Sequence, residues 1–165
     1  MTNNDILRRI RYVFDFCDEK IVAIFAHADA SVTRAEISDW MKKEDDEAHA
    51  ELSDLQLALF LNGLIIEKRG AKDGPMPIPE QRLTNNKIFV KLKIALALKA
   101  EDVLEILALA DYRLSKPELS AFFRKADHKH YRQCLDQVLR NFLQGLQIRF
   151  RGQVDVDVAK AGEAT

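Results

Sequence analysis

The sequence has no long apolar run, no export signal and few cysteines. Its longest apolar stretch, residues 21–26, is far shorter than the roughly 20 residues that a membrane-spanning helix needs. Residues 1–12 carry one aspartate and three arginines without the apolar core of a secretory signal. The only cysteines, Cys17 and Cys134, form no CxxC pair, so the sequence predicts neither a disulfide framework nor a thiolate zinc site. These absences favour the reducing cytoplasm as the location and predict no contact with a membrane.

Motifs that build catalytic or nucleotide-binding sites are missing as well. None of the six glycines belongs to a GxGxxG or Walker pattern, and neither GxSxG nor HExxH occurs. We therefore predict a protein that is not an enzyme and has no cofactor. His130 and Cys134 have the i, i+4 spacing with which two helical side chains can face one metal ion. Lys129 and Arg132 flank His130 and would repel a cation, so we expect no metal site.

What the sequence does contain is an internal repeat. Residues 3–70 align with residues 85–152 without a gap. The pair Asn3-Asn4 falls on Asn85-Asn86, and the string FLNGL at residues 60–64 falls on FLQGL at 142–146. Because the agreement extends over nearly a whole module, it indicates that one unit was duplicated within the gene.

A connector and a tail lie outside the two copies. Residues 71–84 join the copies and contain prolines at positions 75, 77 and 79. Alternating prolines lack N–H donors and favour extended backbone, so we predict a stiff connector. Residues 153–165 follow the second copy and are predicted to be a disordered tail.

Within each copy, apolar residues recur with the period of an α-helix. Capping-box patterns at residues 33–36 and 115–118 mark the start of the third helix. The duplicated Asn pair is a good N-cap type and marks the start of the first helix. Gly70 and Gly152 stand where a left-handed C-cap would end the last helix. The predicted fold is all-α, with two pseudo-symmetric four-helix repeats packed together and no significant β-sheet.

Gly63 and Gly145 lie inside the apolar last helix of each copy. A glycine in a helix costs about 1 kcal/mol relative to alanine, so a repeated one indicates a packing requirement. One interpretation is that the two glycine-bearing helices cross each other near a pseudo-two-fold axis. The other is that each glycine lets a bulky aromatic ring of its own copy pack over it.

The net charge of −1 conceals an asymmetry between the copies. Residues 3–70 hold 9 basic and 14 acidic side chains, a net charge of −5, whereas residues 85–152 hold 13 basic and 7 acidic side chains, a net charge of +6. This difference has two interpretations. In the first, the oppositely charged halves attract each other or the halves of a second molecule. In the second, the second copy binds an anionic partner. The candidate residues for such an interface form one basic cluster: Arg124, Lys125, His128, Lys129, His130 and Arg132.

Four strings make the chain resemble a known family. They are residues 60–70 (FLNGLIIEKRG), 120–125 (SAFFRK), 128–132 (HKHYR) and 139–146 (LRNFLQGL). With these strings the chain looks like the YehS-like family of small bacterial proteins, which carry a tandem domain of unknown function. The resemblance covers about residues 1–152. It implies a bacterial cytoplasmic protein with a two-copy helical domain, and no activity, cofactor or catalytic residue comes with it.

Two functions remain open at this point. The first is a non-catalytic binding or assembly module that contacts a protein partner or a second copy of itself. The alternative is a nucleic-acid-binding protein that uses the basic second copy, with Tyr131 among the charges. A nucleic-acid binder needs the basic residues on one exposed face, and a binding module needs an exposed apolar patch.

Overall fold

The computed structural model describes the backbone of residues 1–163 and the side chains of residues 1–152. Its described residues form eight α-helices and no strand. The helices are α1 (Asn3–Phe14), α2 (Asp18–His27), α3 (Arg34–Met41), α4 (Asp54–Arg69), α5 (Asn85–Ala95), α6 (Ala100–Leu109), α7 (Lys116–Phe122) and α8 (Asp136–Glu163). The predicted all-α class, with four helices in each repeat, is confirmed. No helix in the described part of the chain is long and apolar enough to cross a membrane.

Threonines, not asparagines, cap the first helix of each repeat. The Thr2 hydroxyl accepts a hydrogen bond from the Asp5 N–H at 3.1 Å, and the Thr84 hydroxyl accepts one from the Lys87 N–H at 3.2 Å. The Asn pair therefore occupies the first two helical positions, and the prediction that it caps the helix is wrong. The capping boxes predicted at the starts of α3 and α7 are present.

The asparagines instead hold the loop that leads into the last helix of each repeat. Buried Asn4 donates from Nδ2 to the carbonyl oxygens of Trp40 and Ala50, each at 2.9 Å. Its Oδ1 accepts from the Leu52 N–H at 3.0 Å. Asn86 makes the same three hydrogen bonds to the equivalent residues of the second repeat. Because an asparagine side chain has both donors and an acceptor, it satisfies three backbone groups that the loop cannot pair by itself.

The two repeats share one hydrophobic core and pack through two equivalent helix pairs. Within each repeat the second helix packs on the last, α2 on α4 and α6 on α8; between repeats, α4 packs on α5 and α1 on α8. At the starts of α1 and α8 the Met1 ammonium lies 3.1 Å from Asp136. Further along, the Phe14 and Phe150 rings are 5.2 Å apart, so the two helices run parallel. Both main contacts between the repeats join a first helix to a last helix, which makes the arrangement pseudo-two-fold.

Gly63 and Gly145 lie where the last helix crosses the second helix of the same repeat. A Cβ at Gly63 would overlap the backbone carbonyl of Ile24 in α2, and a Cβ at Gly145 would overlap that of Ile106 in α6. The close approach is therefore inside each repeat. The interpretation that the two glycine-bearing helices cross each other at these positions is wrong. The neighbour is a helix backbone, which also differs from the aromatic ring of the alternative interpretation.

Helix α8 continues past the second repeat. Gly70 ends α4 with φ of +83°, a conformation that favours glycine. Gly152 has no such role, because α8 runs through it to Glu163. The predicted C-cap at Gly152 is therefore wrong, whereas the disorder of the tail stays a prediction. The connector has glycine and proline soon after Gly70, whereas residues 153–161 contain neither. Residues 164 and 165 of the predicted tail lie outside the described residues.

Two pairs of equivalent turns use the left-handed backbone conformation. Asp29 and Asp111, which follow the second helix of each repeat, have φ of +58° and +57°, a conformation common for aspartate in turns. Asp15 and Ala97, which follow the first helix, have φ of +54° and +51°. Aspartate tolerates this conformation better than alanine, because its short polar side chain can bond locally. The turn after α5 is therefore more strained than the turn after α1.

Candidate functional site

The predicted basic cluster lies on the loop between α7 and α8. We call residues 124–133 the basic loop. All six members of the cluster are exposed: Arg124, Lys125, His128, Lys129, His130 and Arg132. Within the part of the chain that the structure describes, no ion pair joins its lysines and arginines to the first repeat. The positive charge of this loop is therefore directed to solvent.

The equivalent loop of the first repeat has the same turn and the opposite charge. We call residues 42–51 the acidic loop. Over ten aligned positions the acidic loop has a net charge of −3 and the basic loop +3. The Ala48 N–H donates to Asp46 at 2.9 Å, and the His130 N–H donates to Nδ1 of His128 at 3.0 Å. Because His128 replaces Asp46 as the acceptor, the loop keeps its turn although its charge is reversed.

A groove of about 940 Å³ opens beside the basic loop. It lies between α4 and α5, and the connector passes over it. Its walls include the apolar residues Ile65, Ile66, Met76, Val90, Ile94 and Phe122. Lys87, Arg124 and Lys125 line it as well, so two members of the basic cluster belong to the groove. The groove thus combines an apolar floor with a cationic rim.

A largely buried lysine ties the connector to the helices beneath it. The Lys91 Nζ lies 2.6 Å from Oδ1 of Asn62 in α4 and 3.1 Å from the Glu80 carboxylate in the connector. Glu80 therefore balances the charge of Lys91. Near the end of the connector, the Leu83 N–H donates to the Asp54 carboxylate at 2.9 Å. These contacts fix the position of the connector over the groove.

The other helix pair, α1 and α8, has an arginine at the position that corresponds to the groove between α4 and α5. The guanidinium of Arg8 donates to the Asp5 carboxylate at 2.7 Å and to the Lys42 carbonyl at 3.1 Å. Burial raises the pKa of the Asp5 carboxyl, but hydrogen bonds with Thr2 and the charge of Arg8 outweigh that effect and lower the pKa. Asp5 is therefore ionised at neutral pH, and its ion pair with Arg8 fixes the arginine side chain on this side of the first repeat.

Two residue differences leave the corresponding space open in the second repeat. Val90 stands at the position of Arg8, and Lys87 stands at the position of Asp5. Valine is too short to reach the loop, and lysine in place of aspartate adds positive charge at the edge. Sequence reasoning missed both residues because it concentrated on what the repeats share. The alignment of the two repeats contains the information that would identify them, at the positions where the aligned residues differ in charge.

His130 and Cys134 are not arranged to share a metal ion. Both lie in the loop before α8, so the helical spacing that would bring them to one face is not formed. Cys134 is buried, and its burial raises the pKa of the thiol to about 12. In the described residues, no group of three or more His, Cys, Asp or Glu side chains converges as a metal site.

Comparisons with known proteins agree with each other. The model of a family described as "Protein of unknown function (DUF1456)" matches residues 3–70 and 85–152. The uncharacterized protein YehS of Escherichia coli (strain K12) is 45% identical over 151 residues, which cover 90% of this chain and 96% of that protein. No solved structure matches.

Proposed function

The chain belongs to the family described as Protein of unknown function (DUF1456), and from this premise we propose that it is a non-catalytic assembly module that binds a second copy of itself. Membership confirms the resemblance noted from the four sequence strings. In this proposal, the acidic loop of one copy contacts the basic loop of another. We place the protein in the cytoplasm, which its two free cysteines support.

The observation that carries the proposal is the reversal of charge between two equivalent loops. Equal and opposite net charges on two exposed surfaces attract each other and steer association. In the acidic loop, Glu44, Asp45 and Glu47 are exposed and, among the described residues, form no ion pair with the second repeat. Both surfaces are therefore available to a neighbouring molecule.

Sedimentation velocity at low and high salt tests the proposal. We expect the parent to self-associate at low salt and to dissociate at high salt, because exposed charges are screened. Changing Arg124, Lys125, Lys129 and Arg132 together to glutamine should leave a monomer. The thermal midpoint should stay nearly unchanged, since exposed charges contribute little to stability.

A matched variant on the other loop makes the test specific. The changes Glu44→Gln, Asp45→Asn and Glu47→Gln spare Asp46, which holds the turn. This variant should also be monomeric by itself. Mixed with the basic-loop variant, it should form a complex with one copy of each, because one intact acidic loop and one intact basic loop are then present. A parent that is monomeric at low salt, or a mixture that stays monomeric, would contradict the proposal.

A gel-shift assay with duplex DNA separates this proposal from nucleic-acid binding. Under self-assembly the parent gives no shift at low salt. A shift that the basic-loop variant abolishes would overturn the proposal in favour of a nucleic-acid function. Its affinity would then fall with salt, with a log–log slope of about −0.9 for each phosphate neutralised.

A further inference from the structure

We infer that the groove between α4 and α5 is a binding site for a small organic acid with an aliphatic body. The inference goes beyond the proposed self-assembly, with which the groove shares Arg124 and Lys125 but not Lys87 or the apolar residues. Three properties of the groove carry it: its size and partial cover by the connector, its apolar floor and its uncompensated positive rim.

The shape of the groove suits a small molecule. Its volume of about 940 Å³ falls in the range of about 300 to 1,000 Å³ that ligand sites occupy. The connector covers it and is held in place by the contacts of Glu80 with Lys91 and of Leu83 with Asp54. A roof of this kind limits the space available to a protein partner and leaves a cavity for a compact ligand.

The floor offers apolar surface that the protein itself leaves uncovered. Ile94 in α5 remains 39% exposed, and Met76, which lines the groove from the connector, remains 41% exposed. Ile65, Ile66 and Val90 extend the same surface. Because burial of apolar surface is favourable, an aliphatic chain lying on these residues gains free energy. The acidic loop of a second copy cannot supply this contact, since residues 44–47 are all charged.

The rim supplies charge for an anionic group. Six cationic side chains and two carboxylates line the groove. Glu80 already pairs with Lys91, whereas Lys87, Arg124 and Lys125 make no ion pair among the described residues. A carboxylate placed near these three groups forms charge-assisted hydrogen bonds, which are stronger than neutral ones. The ligand class is therefore an acid with its charge at one end and an aliphatic chain at the other.

Isothermal titration calorimetry with decanoate tests the site on the full-length protein. We expect one decanoate to bind per chain. Decanol, which has the chain without the charge, should bind about tenfold more weakly because it loses the charge-assisted bonds. Acetate, which has the charge without the chain, should give no measurable binding. Equal affinity for decanoate and decanol, or no binding of decanoate, would overturn the inference.

The first repeat shows which variant should close the site. The double change Lys87→Asp and Val90→Arg copies the pair Asp5 and Arg8, which occupies the equivalent position in the first repeat. This variant should lose decanoate binding and keep its thermal midpoint, and unchanged binding would overturn the inference. The triple change of Lys87, Arg124 and Lys125 to glutamine leaves the floor intact. It should lower the affinity for decanoate to that for decanol.

The reverse exchange is a matched control. Changing Asp5→Lys and Arg8→Val removes the arginine from the first repeat and leaves the second repeat untouched. Decanoate binding at the groove should survive in this variant, and its loss would contradict the assigned position. Sedimentation of the Lys87→Asp, Val90→Arg variant should match the parent, because the four charges of the proposed assembly surface are intact. Failure of the ligand site and failure of self-assembly are therefore distinguishable.

Discussion

The two repeats agree in the interior and differ beside their first helices. Both place an asparagine under the loop before the last helix and a glycine under the second helix. In the first repeat, Arg8 bridges Asp5 and the Lys42 carbonyl. In the second repeat, valine and lysine occupy the equivalent positions, and a groove remains. The two repeats therefore have the same residue where its side chain bonds buried backbone groups. At the surface position beside the first helix, their residues differ in both size and charge.

This difference separates architecture from function. The shared asparagines and glycines explain why the fold occurs twice, and they would be needed whatever the protein binds. The same fold forms in both repeats although the loops have reversed charge and the pair at the groove differs. These divergent positions are therefore where we place both proposals.

The largest effect on stability is expected at Gly63 and Gly145, where the two repeats have the same residue and the same helix crossing. Gly63→Ala and Gly145→Ala should each destabilise the protein by about 3 kcal/mol, because the new Cβ would overlap a helix carbonyl and force two helices apart. Urea unfolding measures both. Gly152→Ala is the control: nothing lies within 4 Å of that Cβ, and the helix should gain up to about 1 kcal/mol. If only one repeat glycine is sensitive, the two crossings are not equivalent.

The second-largest effect on stability is expected at the buried asparagines Asn4 and Asn86. Asn4→Ala and Asn86→Ala should each cost about 2 kcal/mol, because three buried backbone groups lose their partner. Equal losses in the free energy of unfolding would support equivalent roles. A loss below about 0.5 kcal/mol in either repeat would show that water replaces the side chain there.

The smallest effect distinguishes the turns after α1 and α5. Ala97→Gly should stabilise the protein by about 0.5 to 1 kcal/mol, since glycine adopts a φ of +51° without the strain that alanine has there. Asp15→Gly should change stability little, because aspartate tolerates the conformation. Thermal unfolding of the two variants gives the comparison. A larger gain at Asp15 than at Ala97 would reverse our assignment of the strain.

The sequence was sufficient for the repeats and their helices, because period, capping boxes and the gapless alignment all report local structure. Tertiary contacts were harder to predict. The Asn pair was assigned to the N-cap from its residue type, although Thr2 precedes it and forms a capping box with Asp5. Its real partners lie 36 to 51 residues away, a distance at which periodicity carries no information.

The same limit applies to the glycines and to the candidate site. Repetition of Gly63 and Gly145 indicated a close approach, but nothing local identified α2 and α6 as the neighbours. The basic cluster could be read directly from the charges. The groove could not, because it depends on the parallel pairing of α4 with α5 and on the route of the connector.

The pairing of first helices with last helices across the repeats has an evolutionary consequence. Such reciprocal contacts are those of a symmetric homodimer, in which the same patch is used twice. A half-length ancestor with this fold would cover its exposed helix faces by pairing with an identical chain. In that dimer every substitution appears on both sides, so an arginine lost from one groove is lost from the other. Joining the halves through a connector removes this constraint, so the two equivalent positions can carry different side chains, arginine in one repeat and valine in the other.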